Sequence, residues 1–165
     1  MNEITTQPPL YSTVESPIGE LLLAGDGTAL NELHMRAAPR ALEIAAEGQR
    51  AHGGFREARD QLGEYFAGTR RRFKLALQPA GSVYQRRVWK ELERIGFGET
   101  ITYAELARRI GRRGSARAVG AANGRNPISI IIPCHRVIGA DGTLTGYSGG
   151  IRRKRTLLEL EGVSL

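Results

Sequence analysis

The single cysteine of this 165-residue chain lies in the segment IIIPCHRVIG, residues 130–139. A thiol becomes a useful nucleophile only as a thiolate, which requires a base or a positive charge nearby. Cys134 is followed directly by one of each, His135 and Arg136. Adjacent side chains usually diverge, so Cys134 and His135 can cooperate only where the backbone turns sharply or a water bridges them.

Two carboxylates near the C-terminus, Glu159 and Glu161, are candidates to orient the imidazole of His135. The alternative interpretation is that Cys134, which follows three isoleucines and a proline, is a buried small hydrophobe. The pattern alone leaves this choice open. A metal site is not expected, because the one cysteine and the scattered histidines lack ligand spacing (His34, His52 and His135).

The first half of the chain predicts a small antiparallel sheet followed by helices. The segments YSTVES, GELLLAG and TALNELHM read as strands, with a hairpin turn at Asp26-Gly27. The alanine-rich residues 37–53 predict a short helix, and FREARDQLGEYFAG places apolar residues at helical spacing up to Gly68. The alternation in RRFKLALQ predicts another strand at residues 71–78.

The second half predicts short helices after a linker, PAGS, so that the domains span residues 1–78 and 79–165. Capping boxes are expected at Ser82 with Gln85 and at Thr102 with Glu105, and Ser115 is expected to cap ARAVGAAN. The last two of these helices have the size of a helix-turn-helix pair. PISIIIP predicts an extended run, and GGIRRKRTLLELEG a final helix.

Composition indicates a globular protein with 41% hydrophobic residues. No run approaches the roughly 18 apolar residues of a membrane span, and the opening MNEITTQPPL does not resemble a signal peptide. A lone cysteine cannot form an internal disulfide, so a cytoplasmic location is expected.

The net charge of +7 is unevenly distributed. Residues 1–78 hold 9 basic and 10 acidic side chains, whereas residues 79–165 hold 15 and 7. The basic excess therefore belongs to the half that contains the thiol. This asymmetry is typical of polyanion binding, and equally of an arginine-rich solvated surface.

The motif PCHRV, with GRNPISIIIP before it and GYSGG after it, resembles the signature of the O6-alkylguanine-DNA alkyltransferases, also called methylated-DNA–protein-cysteine methyltransferases. The similarity continues through FGETITYAELA, SARAVGAANGRNP and GIRRKRTLLELEG, and it covers residues 82–162 without a gap. The N-terminal half is similar only at SPIGELLLAG and YFAG. The family's fold is an α/β, ribonuclease-H-like N-terminal domain and a mostly helical, winged-helix-like C-terminal domain.

This resemblance implies DNA repair by direct reversal, without a cofactor. Cys134 would take the alkyl group from O6 of guanine (or O4 of thymine), once per molecule, with His135 as base through a water and Glu161 orienting the imidazole. Tyr103 would contact guanine N3, and Asn126 would act as the hinge between the recognition helix and the active-site strand.

The resemblance also implies a DNA-contacting helix whose small residues approach the minor groove and whose Arg117 fills the gap left by the flipped base. The implied DNA contacts are Ser115, Ala116, Arg117, Ala118, Gly120, Arg125 and Tyr103. The implied base pocket comprises Ser129, Val137, Tyr147, Ser148, Gly149 and Lys154, together with the Cys134 carbonyl. The protein would act as a monomer, with cooperative binding along DNA as in some relatives.

Ser129 stands where some relatives carry proline, which predicts a roomier pocket. Two rival functions remain for this sequence. One is a DNA-binding module whose thiol does not transfer, and the other is a cysteine hydrolase that turns over esters or amides with Cys134 and His135.

Overall fold

The N-terminal part of the chain forms a four-stranded sheet. The computed structural model describes residues 7–111 and 115–165. The strands β1 (Leu10–Val14), β2 (Leu21–Gly25) and β3 (Leu30–Met35) pair antiparallel, as the sequence predicts, and β4 (Gln49–Arg50) lies parallel to β1. The strand order is β3-β2-β1-β4.

The hairpin between β2 and β3 is set by Asp26. Its carboxylate accepts hydrogen bonds from the backbone N–H groups of Thr28 and Ala29, at 2.8 and 2.9 Å. Gly27 adopts a φ of 97°, in the left-handed region that glycine enters without steric cost. The local turn chemistry therefore agrees with the hairpin that the sequence predicts.

Strand β2 is buried on both faces, which explains its unbroken apolar run. Leu22 and Ala24 pack against α1 (Pro39–Glu47), the helix expected within residues 37–53. Leu21 and Leu23 face the main core, to which α2 (Arg56–Phe66) contributes Leu62 and Tyr65. The sheet is thus a layer between α1 and the rest of the molecule.

The second half consists of helices α3 (Val83–Leu92), α4 (Tyr103–Arg109), α5 (Ala116–Gly124) and α6 (Ile151–Leu160), with a short parallel pair β5 (Ile101–Thr102) and β6 (Val137–Ile138). Ser82 and Gln85 form the predicted capping box at the start of α3. The indole N–H of Trp89 donates to the Ala122 carbonyl at 2.8 Å and joins α3 to α5. Within the described residues, no helix has the length and apolar character needed to cross a bilayer.

Two predicted caps are wrong in part. The Thr102 hydroxyl accepts from the Glu105 N–H at 3.1 Å, but the Glu105 carboxylate binds Arg108 and Arg109 instead of completing a box. These charge-assisted bonds are stronger than a bond to a neutral amide. Ser115 precedes α5, but its φ and ψ of −98° and 34° are not extended, and its hydroxyl caps none of the described first-turn amides of α5.

Two predicted extended segments are not strands, because they share one edge of β3. Residues 71–78 form only an isolated bridge, Leu77 with Leu30, and residues 127–133 only another, Ile128 with Leu33. After Ile128 the chain turns tightly, with Ile130 at a φ of 72°, which β-branched residues seldom adopt. The segment that leads to Cys134 is therefore a series of turns fastened to β3, not a strand.

One hydrophobic core runs through both halves and includes Leu23 and Leu33 from the sheet and Val88, Trp89 and Leu157 from the helices. Leu23→Ala should lower the free energy of unfolding by about 2–5 kcal/mol. Because the core is shared, we expect the fluorescence of Trp89, in the other half, to report the same denaturation midpoint as far-UV circular dichroism.

The matched control is Leu42→Ala, at a leucine of α1 that is 54% exposed, which should change stability by no more than about 0.5 kcal/mol. A Trp89 transition that stays at the wild-type midpoint in Leu23→Ala would contradict the shared core.

Candidate active site

Cys134 begins a single 3-10 turn, Cys134–Arg136, that follows the turns fastened to β3. Cys134 is 4% exposed as a residue, and its backbone N–H donates to the Ile132 carbonyl at 2.8 Å. Burial raises the pKa of the thiol, and the neighbouring Asn126 amide and Lys154 ammonium oppose that rise. At neutral pH the thiol is thus protonated and needs a base in order to react.

The ring of His135 has a defined tautomer. Its Nε2 lies 2.7 Å from Glu161 Oε2, and both side chains are completely buried. Since an ionised carboxylate only accepts, Nε2 carries the proton and Nδ1 is the acceptor of the neutral ring. Nδ1 has no hydrogen-bond partner within the described part of the chain. Burial lowers the pKa of His135 despite the opposing effect of Glu161, so the ring is neutral at pH 7.

Glu161 is held by five hydrogen-bond donors. Arg136 binds both of its oxygens, at 2.7 and 3.1 Å, and the Gly98 N–H reaches Oε1 at 3.3 Å. Tyr65, from the N-terminal half, donates its hydroxyl to Oε2 at 2.6 Å. Burial opposes the charge on Glu161, but the bonds from His135 and Arg136 outweigh it and hold the pKa of the carboxyl at about 2.

The other candidate carboxylate, Glu159, does not face the imidazole. Its side chain is 56% exposed and lies 4.0 Å from Arg155 on the surface of α6. Of the two alternatives left open by the sequence, the structure places Glu161 against His135.

Lys154 lies fully buried on α6 beneath the thiol region. Its Nζ donates to the carbonyls of Val137 and Thr145, at 2.6 and 2.9 Å. Burial lowers the pKa of Lys154 to about 8, against the effect of the nearby thiol. The lysine therefore joins β6 to the loop that contains Tyr147.

The loop of residues 145–150 packs beside the thiol. Tyr147 is 8% exposed, and burial raises its pKa well above the usual value. A Cβ on Gly149 would lie 2.7 Å from the Tyr147 ring, so only glycine fits there. Arg153 donates to the carbonyls of Gly149 and Ile18, at 3.1 and 2.8 Å, and so binds the loop to the N-terminal half. Ser148 is exposed at the tip of the loop.

Asn126 connects the end of α5 to the turns before Cys134. Its amide N–H donates to the Ile132 carbonyl at 2.7 Å, and its Oδ1 accepts from the Ile128 N–H at 2.9 Å. The buried Ser129 lies between these two contacts in sequence. Asn126 thus spans the irregular segment whose strain includes the left-handed Ile130.

Tyr103 and α5 form the exposed surface next to this site. Tyr103 is half-buried, donates its hydroxyl to the Thr145 carbonyl at 3.1 Å, and has a pKa that burial raises. Gly120 faces it, since a Cβ there would lie 3.6 Å from the Tyr103 ring. The remaining predicted contact residues are half-buried Ser115 and exposed Ala116, Arg117, Ala118 and Arg125.

Sequence reasoning did not find three contributors to this site. Asn123 donates to the Cys134 carbonyl at 3.3 Å, and Arg136 and Tyr65 bind Glu161. The sequence indicates Arg136 only as a charge near the thiol and gives no role to Asn123 or Tyr65. A side chain with a polar group on the apolar face of a helix, such as Tyr65 beside Leu62 on α2, indicates a buried hydrogen bond. No spacing rule could pair Tyr65 with a carboxylate 96 residues away.

Among the described residues, no group of three or more histidines, cysteines and acidic residues could hold a metal ion. The groups near the thiol are instead the ammonium of Lys154 and the phenols of Tyr103 and Tyr147, and His135 follows it in the chain. Such a set suits nucleophilic and proton-transfer chemistry.

Comparison with known proteins places both halves of the chain in one family. Residues 83–163 match the family model of the 6-O-methylguanine DNA methyltransferase DNA-binding domain, and residues 10–79 match that of its ribonuclease-like domain. The methylated-DNA–protein-cysteine methyltransferase of Mycobacterium bovis is 54% identical over 92% of this chain and 91% of its own. That of Methanosarcina acetivorans is 48% identical over 92% and 97%.

Solved structures agree with these sequence matches. The O6-methylguanine methyltransferase of Mycobacterium tuberculosis has a TM-score of 0.87 at 52% identity, covering 93% of this chain and 92% of its own. A structure of Mycobacterium tuberculosis OGT in complex with DNA has a TM-score of 0.86 at 53% identity and covers 92% of each chain. The expected fold, a small sheet domain followed by a helical domain, is confirmed. With matches over both halves at this identity, the chain belongs to the methylated-DNA–protein-cysteine methyltransferase family.

Proposed function

We propose that this protein repairs DNA by moving the alkyl group from O6 of guanine, or O4 of thymine, onto Cys134, once per molecule. The observation that carries the proposal is the arrangement of three residues. The one thiol of the chain begins the turn that holds His135, and an ionised Glu161 fixes His135 with Nδ1 as its acceptor. This is a nucleophile, a base and an orienting group in order.

In the proposed reaction, Sγ attacks the alkyl carbon while the bond from that carbon to O6 breaks. The thiol proton passes through a water to Nδ1 of His135, and the electron pair of the broken bond stays on the oxygen of the departing nucleobase. Tyr103 assists by donating its hydroxyl proton to guanine N3. The proton that His135 took from the thiol then returns to the Tyr103 oxygen. Burial keeps Tyr103 protonated, because its pKa is raised.

The product is a thioether, which has no good leaving group and which no group in the site can activate for hydrolysis. Cys134 is the single cysteine of the chain, so no second thiol can accept the alkyl group. We therefore propose one repair event per protein molecule.

We propose that α5 enters the minor groove of double-stranded DNA. Its outer face carries small exposed residues, Ala116 and Ala118, which permit close approach, and the basic half of the chain supplies the positive charge. Arg117 on the same face would fill the space left by the extruded base. Ser115, Gly120, Arg125 and Tyr103 would complete the contact.

We propose a base pocket between the loop of residues 145–150 and the thiol. Tyr147, Ser148 and Gly149 would cover the base, with Ser129 forming a wall. The carbonyls of Cys134 and Val137 would accept from the guanine amino group. Each already accepts one hydrogen bond, from Asn123 and Lys154, and a carbonyl has a second lone pair available.

We further propose that residues 1–78 and 79–165 act as two domains, the second holding the DNA surface and the thiol. A cytoplasmic location suits the protein, because Cys134 must stay reduced to react. One chain would act on one lesion as a monomer, and cooperative binding along DNA is compatible with this arrangement.

Duplex DNA containing O6-methylguanine should add one methyl mass to the tryptic peptide that contains Cys134, in a one-to-one ratio with the protein. Intact-mass and peptide mass spectrometry measure this transfer, and Cys134→Ser should show none while still binding DNA. Binding without a mass gain would favour the non-transferring DNA-binding module. Continued turnover of an ester or amide would favour the hydrolase.

The transfer rate should fall at acidic pH, because a protonated His135 cannot accept the thiol proton. Burial lowers the pKa of His135, so the fall should begin below the ordinary imidazole value of about 6.5, and the rate should be flat from there to about pH 8. Single-turnover kinetics across this range measure the profile, with circular dichroism to verify folding. A rate already halved above the ordinary value would contradict a buried neutral imidazole.

Arg117→Ala should slow transfer from duplex DNA by about tenfold or more, because the extruded base loses the side chain that replaces it. Transfer from the free base O6-benzylguanine should change by less than about twofold, since no base is extruded. Arg155→Ala, at an exposed arginine of α6, is the matched control and should behave as wild type. Equal losses on duplex and free base would argue against this role.

A further inference from the structure

The hydroxyl of Tyr65 is the one donor to Glu161, among the described residues, that comes from the N-terminal half of the chain. Tyr65 lies on α2, is fully buried, and packs its ring against Phe66, Phe73 and Phe97 at centroid distances of 5.1, 5.4 and 6.2 Å. Because these rings surround it, the phenol has little freedom to turn away from the carboxylate. The 2.6 Å bond therefore has a rigid donor.

Tyr65 and His135 bind the same oxygen of Glu161. Oε2 accepts from Tyr65 at 2.6 Å and from His135 Nε2 at 2.7 Å, while Arg136 and Gly98 hold Oε1. Removal of the phenol hydroxyl would leave Oε2 with the imidazole and the longer contact from Arg136 Nη2, at 3.1 Å. The phenol thus helps to decide both where Oε2 lies and how much negative charge it presents to His135.

We propose that Tyr65 is a positioning residue for alkyl transfer: its hydroxyl holds Oε2 of Glu161 at the point where it accepts the Nε2–H of His135. The inference rests on the proposed function of the thiol. It gives the N-terminal half a role in the reaction, because the orienting carboxylate of one half is held by a phenol of the other.

The charged and titratable groups around this cluster set the direction of the effect. His135 and Glu161 face Arg136 from the same turn, and Lys154 of α6 lies near both His135 and the Cys134 thiol. Tyr147 lies near that thiol, Tyr65 and Glu161. Burial and the charge of Glu161 raise the pKa of Tyr65, so the phenol remains a donor throughout the working pH range. Without that donor, Oε2 presents more charge to His135 and favours the imidazolium.

The test is Tyr65→Phe, which keeps the ring packed and removes the hydroxyl alone. We expect the single-turnover rate at neutral pH to fall by about tenfold, through lost alignment of the imidazole. The acid midpoint of the pH profile should rise by about half a unit or more. A ¹⁵N NMR titration of His135 should show the same upward shift in the absence of any DNA.

Tyr11→Phe is the matched control. Tyr11 lies in β1 and packs on the opposite face of the sheet, against the α1 side, so the same chemical change there should leave rate and midpoint unaltered. Equal losses in the two variants, or a Tyr65→Phe profile that matches wild type, would overturn the proposal.

A double-mutant cycle separates positioning from general loss of stability. In a Glu161→Ala background, Tyr65→Phe should have no further effect on the rate, because the oxygen that accepts from Tyr65 is gone. Additive losses would show that Tyr65 acts independently of Glu161 and would refute the inference.

A second variant covers the case in which Tyr65→Phe does not fold. Site-specific 3,5-difluorotyrosine at position 65 is a stronger donor and should move the His135 midpoint downward, opposite to Tyr65→Phe. An unchanged midpoint would overturn the proposal. If the wild-type protein takes up no alkyl group, the proposed function fails, while the NMR titration still decides whether Tyr65 controls His135.

Discussion

A single buried carboxylate organises the reactive part of this molecule. Glu161 is 5% exposed as a residue and has a pKa of about 2, so it is an anion in the interior. A buried charge is tolerated only when paired and hydrogen-bonded, and five donors from three separate parts of the chain satisfy this one. Because those donors must converge, the anion dictates how α2, the turn at Cys134 and the end of α6 meet.

The cluster around Glu161 also explains the tautomer and charge of His135. An ionised acceptor at Nε2 leaves Nδ1 as the basic atom, and the positive charge of Arg136 on the same carboxylate limits how strongly the imidazole is protonated. Burial then favours the neutral ring. Burial likewise raises the pKa of the Cys134 thiol, so both neighbouring groups are uncharged at neutral pH.

The N-terminal sheet supports the reactive turn through several independent contacts. The N–H of Leu33 in β3 donates to the Pro127 carbonyl at 2.8 Å, and the Leu33 carbonyl accepts from the Ser129 N–H at 3.1 Å, directly before the strained Ile130. Arg153 donates to the carbonyls of Ile18 and Gly149 and so connects the N-terminal half to the loop of residues 145–150. The shared core supplies the apolar packing that keeps these contacts in register. A turn with a left-handed β-branched residue needs such support, since its backbone is unfavourable alone.

Much of the architecture could be predicted locally. The Asp26-Gly27 hairpin, the capping box at Ser82 and the apolar spacing of α2 and α3 depend on neighbours within a few residues, and each appears in the structure. The failures share a cause. Residues 71–78 alternate and residues 127–133 run apolar, as strands do. Both segments lie against the same free edge of β3, so each pairs with it at one residue only. Neither segment's own sequence shows that another segment occupies that edge.

The sequence by itself determined which chemistry is possible. One thiol followed by an imidazole and a guanidinium, in a basic half of the chain, makes Cys134 the single candidate thiol and His135 its nearest candidate base. The family resemblance already pointed to Glu161 rather than Glu159. Only the tertiary structure placed Glu161 against His135, brought in Tyr65 and Asn123, and defined the tautomer of His135. The physical reason is that burial and hydrogen bonding set the charge and orientation of these groups, and both depend on segments up to 96 residues apart.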